Sequence, residues 1–256
     1  SYQDDPNGIT ASVFYNGNND NPFAGSTVID GWGDTDTLTN ITWIEGSAYD
    51  DNITIDITKS DNLRWYVWGM DGADTIAGND GRQVRAMYLD DPAGVTVDLG
   101  AGTATDGWGN TDILIDIQTA SGSHYSGDSL KGSNERNGFF GTLGNDTIDG
   151  LDEWDWISYA WIEHEDGFKG VEVDLSSNFA KGYDLDGILL FTDQLFNIEM
   201  VQGSIHDDTL IGNDADNRLL GYDGNDTLIG GGGWVTLDGG QGDDFLDGGE
   251  FEGRFP

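Results

Sequence analysis

The stretch that decides the fold runs from Gly203 to Gly248 and contains Gly221-Tyr222-Asp223-Gly224-Asn225-Asp226-Thr227-Leu228-Ile229 and Gly239-Gly240-Gln241-Gly242-Asp243-Asp244-Phe245-Leu246-Asp247. Glycines at 203, 212, 221, 230, 239 and 248 recur every nine residues, and Leu210, Leu219, Leu228, Leu237 and Leu246 keep the same beat. Each unit therefore offers one turn and one apolar side chain, the signature of a coil that stacks on copies of itself. Two residues before each leucine stand Asp208, Asn217, Asp226, Val235 and Asp244. If two nonapeptides make one coil, Asp208, Asp226 and Asp244 form a column on one edge, and Asn217 and Val235 fall on the other.

Working outward, a longer period appears. Asp4-Asp5-Pro6-Asn7-Gly8-Ile9-Thr10 aligns with Asp90-Asp91-Pro92-Ala93-Gly94-Val95-Thr96 and with Gly170-Val171-Glu172-Val173-Asp174-Leu175. Gly31-Trp32-Gly33-Asp34-Thr35-Asp36 matches Gly107-Trp108-Gly109-Asn110-Thr111-Asp112, and Thr192-Asp193 repeats its end. Gly46-Ser47, Gly122-Ser123 and Gly203-Ser204 follow in the same order. The chain reads as one solenoid of three long repeats, about 1–86, 87–157 and 158–256, with the tandem nonapeptides at 203–248 in the last. Tyr2, Tyr88 and Tyr159 occupy matching positions, and both ends fall in phase with the repeat. In-phase ends predict either head-to-tail self-association into a filament or a piece cut from a longer array.

Alternating runs such as Val95–Leu99 and Ile113–Ile117 predict strands, no segment predicts a helix, and Asn16–Pro22 reads as an exposed loop inserted into the first repeat. Composition narrows the function. Forty-eight acidic residues face ten basic ones, a formal charge of −38 that opposes compaction unless cations neutralise it. Twenty-nine aromatic residues are too many for a solvating tail. A lysine and arginine surface for nucleic acid is missing, no stretch is apolar enough for membrane insertion, and without cysteine no disulfide staples the turns.

These nonapeptides resemble the Gly-Gly-x-Gly-x-Asp-x-apolar-x motif of the repeats-in-toxin (RTX) family. Gly69-Met70-Asp71-Gly72-Ala73-Asp74-Thr75-Ile76-Ala77 and Gly141-Thr142-Leu143-Gly144-Asn145-Asp146-Thr147-Ile148-Asp149 resemble it too, and the Gly-Val-Thr-Val-Asp-Leu segment is similar to what surrounds such repeats in bacterial exoproteins. The resemblance implies an all-β fold, a right-handed parallel β-roll or β-helix whose turns bind several Ca²⁺ ions, and an extracellular or cell-surface protein. It implies that each ion lies between stacked turns, pairing Asp208 with Asp226, Asp226 with Asp244, Asp51 with Asp74 and Asp128 with Asp146. Turns opened by Gly69, Gly141, Gly221 and Gly239 would supply carbonyls, and Asp71 and Asp223 a further oxygen. Glycine turns that aim carbonyls inward suit a hard cation seeking six or more oxygens. With Asn217 and Val235 in place of aspartate, the second edge is expected to be weak or metal-free. Asp184-Leu185-Asp186-Gly187 opens like a helix-loop-helix calcium loop, but Leu195 stands where that loop needs glutamate.

The expected solenoid has roughly a dozen coils at about 4.8 Å each, hence about 60 Å in length. Trp154, Trp156 and Trp161 offer a platform for a cell-surface or matrix polysaccharide, although packing along the coils explains them as well. A polysaccharide lyase or epimerase needs a base. His124 and His206 lie inside turns of the calcium type, and His164-Glu165-Asp166 precedes a glycine turn. No nucleophile elbow or His-Glu-x-x-His segment is present. The expectation is a secreted structural subunit of a filament or surface layer, with a carbohydrate-binding adhesin module and a polysaccharide-active enzyme as alternatives.

Overall fold

The computed structural model describes residues 1–17, 22–58, 63–124, 126–162 and 167–249, with backbone alone at 80–83. Residues 18–21 of the inserted loop, the segment His164-Glu165-Asp166 and the last seven residues lie outside this description. Among the described residues the regular elements are strands, with tighter helical geometry at Ile162 alone, and no helix there is long and apolar enough to cross a membrane. The chain forms two compact units, Ser1–Ser133 and Asn134–Pro256. Their boundary falls inside the second long repeat.

In the first unit β1 (Thr10–Tyr15), β5 (Asn52–Ile57), β7 (Thr75–Ala86) and β10 (Thr111–Ser121) stack in parallel, with Thr10, Asn52, Thr75 and Ile113 in register. Parallel pairs β4 (Trp43–Glu45) with β6 (Trp65–Trp68), β6 with β7, and β8 (Thr96–Asp98) with β11 (Ser129–Ser133) complete it. In the second unit one parallel run joins β12 (Gly138–Phe140), β14 (Trp156–Ser158), β18 (Met200–Gln202), β20 (Asn217–Asp223) and β22 (Val235–Gln241). Another joins β15 (Phe168–Asp174), β19 (Thr209–Ile211), β21 (Thr227–Ile229) and β23 (Phe245–Asp247). Consecutive nonapeptides thus alternate between two runs, and every second one stacks, as the spacing predicts.

In each of these parallel runs one apolar side chain per coil points inward. Ala11, Ile53, Ile76 and Leu114 make one buried column, and Val173, Leu210 and Leu228 another, all within 5% of full burial. Each fully buried leucine contributes roughly 1.5–3 kcal/mol, which is what turns a nine-residue beat into a core. The leucine ladder does not stay buried to its end: Leu237 is half-buried and Leu246 is 48% exposed, because no described strand lies beyond β22 and β23.

The sheet is mixed, which the sequence reading did not anticipate. Each long repeat carries an antiparallel three-stranded meander: β1 with β2 (Thr27–Ile29) and β3 (Thr35–Thr37), β8 with β9 (Thr103–Thr105) and the start of β10, and β15 with β16 (Phe179–Asp184) and β17 (Leu189–Phe196). Period-two alternation fits either strand direction, so only the turns distinguish them. Those turns are the segments aligned above. Asp30 and Asp106 each accept two amides of a tight loop, Trp32 and Asp34 in one, Trp108 and Asn110 in the other, with Gly33 and Gly109 at φ of 90° and 98°. The β17 strand returns to the parallel stack by pairing with β13 (Thr147–Leu151).

Candidate metal centres on the acidic edges

The residue just before each parallel-paired stretch lies where the chain enters the stack, so these residues form columns. In the first unit the column is Ile9, Asp51, Asp74, Asp112, and in the second it is Val171, Asp208, Asp226, Asp244. Each carboxylate leans back one coil and accepts the backbone amide there. Asp51 takes Ile9 at 2.6 Å, Asp74 takes Asp51 at 2.8 Å and Asp112 takes Asp74 at 2.9 Å. Asp208 takes Val171 at 2.8 Å, Asp226 takes Asp208 at 2.8 Å and Asp244 takes Asp226 at 3.0 Å. Such ladders satisfy amides that a turn would otherwise strand. One oxygen per carboxylate does this, and at Asp74 and Asp226 the second is buried without a hydrogen-bond partner.

Glycine opens each turn because the carboxylate fills the place of its side chain. A Cβ on Gly69, Gly221 or Gly239 would overlap Oδ2 of Asp74, Asp226 or Asp244 respectively, and on Gly221 it would also stand 2.6 Å from the Gly239 carbonyl oxygen. Gly221→Ala therefore pushes the Asp226 carboxylate off its seat. The expected result is calcium affinity lowered roughly tenfold to a hundredfold at that turn, as when a group orienting a metal ligand is lost, measured by titration calorimetry.

The second edge is not bare. In the run β12-β14-β18-β20-β22 the column reads Asn137, Asp155, Glu199, Asn217, Val235; the Asn137 amide donates to Asp155 at 2.6 Å and the Asp155 amide to Glu199 at 2.8 Å. Sequence reasoning missed this pair. Gly150-Leu151-Asp152-Glu153-Trp154-Asp155-Trp156-Ile157-Ser158 keeps the first glycine, the aspartate and the apolar residue of the nonapeptide but has Glu153 at the fourth position. Leu151 and Glu153 adopt φ of 74° and 75°, the left-handed region that Met70 and Tyr222 also occupy at 74° and 78°. The fold holds the turn despite the missing glycine.

Burial, followed by like charge, shapes the electrostatics. Desolvation raises Asp74 to about 9, with further increments from Asp112 and Asp51, and raises Asp155 and Asp208 to about 7 and Asp226 to about 6. Among the described residues, Oδ2 of Asp74, Asp155 and Asp226 is buried and has no hydrogen-bond partner. A buried carboxylate oxygen without a donor requires a proton or a cation. No point gathers three carboxylate or imidazole groups among the described residues, so a bound ion must complete its shell with backbone carbonyls. That donor set, hard and entirely oxygen, fits Ca²⁺.

The sign of the pH dependence follows. The folded chain holds these protons more tightly than the unfolded chain, whose carboxylates titrate near 3.8, so stability without metal is greatest at low pH. It falls as pH rises from about 4 toward the folded values, which reach about 9 at Asp74. Calcium replaces the protons, and its affinity rises over the same range. Thermal melts at pH 5 and pH 8 should show the metal-free chain more stable at pH 5 and the calcium-loaded chain reversing that order.

The remaining sequence-predicted residues take other places. Asp71 and Asp223 lie at the rim, accepting the side-chain amides of Asn110 and Gln241 at 2.8 Å each. Asp128 accepts the Val95 amide at 2.7 Å in the first unit, while the Asp146 amide donates to Asp193 at 3.0 Å in the second. A Cβ on Gly141 would overlap the Tyr159 ring, so that glycine makes room for an aromatic side chain. Trp156 and Trp161 both pack on Phe140, with centroids 5.4 and 5.1 Å apart, and the Trp156 indole covers Gly138; Trp154 is half-buried and is no part of that ring cluster. His206 packs edge-on against Phe168 within its turn.

A family model for the RTX calcium-binding nonapeptide repeat matches the chain in four copies, at residues 66–82, 128–160, 202–233 and 235–252. The second copy spans the Asp155 turn. No curated protein matches the chain.

Proposed function

We infer that this chain, which belongs among the proteins built on RTX calcium-binding nonapeptide repeats, is a structural module of an extracellular-type protein that folds around calcium and catalyses nothing. Such repeats bind several Ca²⁺ ions. The observation that carries the structural reading is where the ionisable groups sit: buried carboxylates lie inside stacked turns, where they bridge one coil to the next, and His206 is packed into a turn. The turns of Asp74, Asp226 and Asp244 form the candidate cradles, with Gly69, Gly221 and Gly239 clearing the space. When bound, calcium supplies charge neutralisation, and the chain's own residues supply register and spacing. Purified chain equilibrated with calcium and then desalted should retain several ions, counted by elemental analysis. Retention of none would overturn the reading.

A finer role, a filament or surface-layer subunit assembled head to tail, draws support from the last described coil. Leu246 is 48% exposed there, whereas Leu228 and Leu210, its equivalents in the preceding coils, are fully buried, and the neighbouring Phe245 is 58% exposed. A coil from a second copy would cover them. Sedimentation of the calcium-loaded chain should show concentration-dependent polymers, and monomers at all concentrations would refute this role.

A further inference from the structure

The aspartates that resemble one another in sequence are of two kinds in the fold. At Asp51 the carboxylate takes the Ser47 amide at 2.7 Å and the Ser47 hydroxyl at 2.8 Å besides the Ile9 amide. Asp208 has the same set, the Ser204 amide at 2.6 Å and hydroxyl at 2.9 Å besides Val171. At the other end of the first column, Asp112 takes the Tyr88 hydroxyl on Oδ2 at 2.9 Å, and in the second unit Asp193 takes the Tyr159 hydroxyl on Oδ2 at 2.8 Å. Both tyrosines and both aspartates are buried. These four carboxylates have protein donors on both oxygens.

Asp74, Asp155 and Asp226 do not. Each gives one oxygen to an amide of the neighbouring coil, and each is at most 1% exposed with its second oxygen unmet. A carboxylate with donors on both oxygens already has its charge partly met and fewer lone pairs to offer, so it gains less from a cation, whereas a buried open oxygen loses nothing and gains a counter-charge.

We propose that calcium enters the turns of Asp74, Asp155 and Asp226, and that a serine or tyrosine hydroxyl takes the ion's place at Asp51, Asp208, Asp112 and Asp193. This rests on the calcium-binding reading above and adds to it a division of labour. Hydroxyl-closed turns flank metal-closed ones, so the first acidic column has a serine at one end, an ion in the middle and a tyrosine at the other. The Asp155 site lies on the edge that the nonapeptide spacing alone marks as weak.

The test counts and locates ions in the full chain. Asp74→Asn, Asp155→Asn and Asp226→Asn should each lower the calcium retained per chain by one ion, while Asp112→Asn and Asp208→Asn lower the melting temperature and leave the count unchanged. Crystals of the unaltered chain grown with calcium provide a reading that needs no variant to fold. Anomalous peaks should lie beside Oδ2 of Asp74, Asp155 and Asp226. Peaks beside Asp112 or Asp193, or loss of an ion in Asp112→Asn or Asp208→Asn, would overturn the division of labour while leaving calcium binding intact. A chain that retains no ion and shows no peaks would instead sink the calcium-binding reading.

Discussion

Chelation of calcium should unfold most of this chain, with the β signal of circular dichroism lost on adding a tight chelator and regained on returning calcium. A ligand present at a hundred times its dissociation constant stabilises by about 2.7 kcal/mol per site, so three sites contribute about 8 kcal/mol. Natural domains have about 5–15 kcal/mol in total. Removing the ions also restores repulsion among stacked carboxylates in a chain carrying a formal charge of −38, and no disulfide holds the turns in their absence. Magnesium should restore little, because a shell made largely of backbone carbonyls suits the longer and more adaptable coordination of calcium. An unchanged spectrum after chelation would show that hydrogen-bonded turns alone maintain the fold.

Leu228→Ala should be the most damaging simple truncation in the nonapeptide region. Leu228 is fully buried, stacked between Leu210 on one side and Leu246 on the other, and the stacked backbone cannot collapse into the space. A loss of about 2–5 kcal/mol is expected, seen in the calcium-loaded protein as a drop in melting temperature on the order of 10 °C. Leu246→Ala, at the same position of the next coil, removes a side chain already half in water and should cost under about 1 kcal/mol. Equal effects would mean that another surface covers Leu246 in solution, and the pair of variants thus doubles as a check on head-to-tail contact.

The stacked coils were legible because two independent signals, glycine and leucine, share one period, and a register is fixed once both a turn and a core position repeat. The acidic column at Asp208, Asp226 and Asp244 followed from the same count. What stayed illegible had lost one of the signals. Leu151 and Glu153 stand in left-handed positions that glycine usually fills, so the Asp155 turn did not announce itself. Glu199 precedes its strand without any nonapeptide around it. The tyrosines and the threonine-aspartate pairs each repeat, yet their hydrogen bonds join Tyr88 to Asp112 across 24 residues and Tyr159 to Asp193 across 34, so no single spacing links every tyrosine to its aspartate. The third such bond, Tyr2 to Asp36 at 3.2 Å, follows the same design on an exposed surface.

The antiparallel meanders bear on how the backbone comes to order. Asp98 pairs with Thr103 and Asp174 with Phe179 across tight reversals, whereas the parallel ladder joins Ile9 to Asp51 and Asp208 to Asp226. Closing a short loop forfeits less chain entropy than closing a long one, and nearby partners meet sooner. Each long repeat therefore contains one piece that can assemble early and by itself, giving the slower, more distant pairings a template on which to zip.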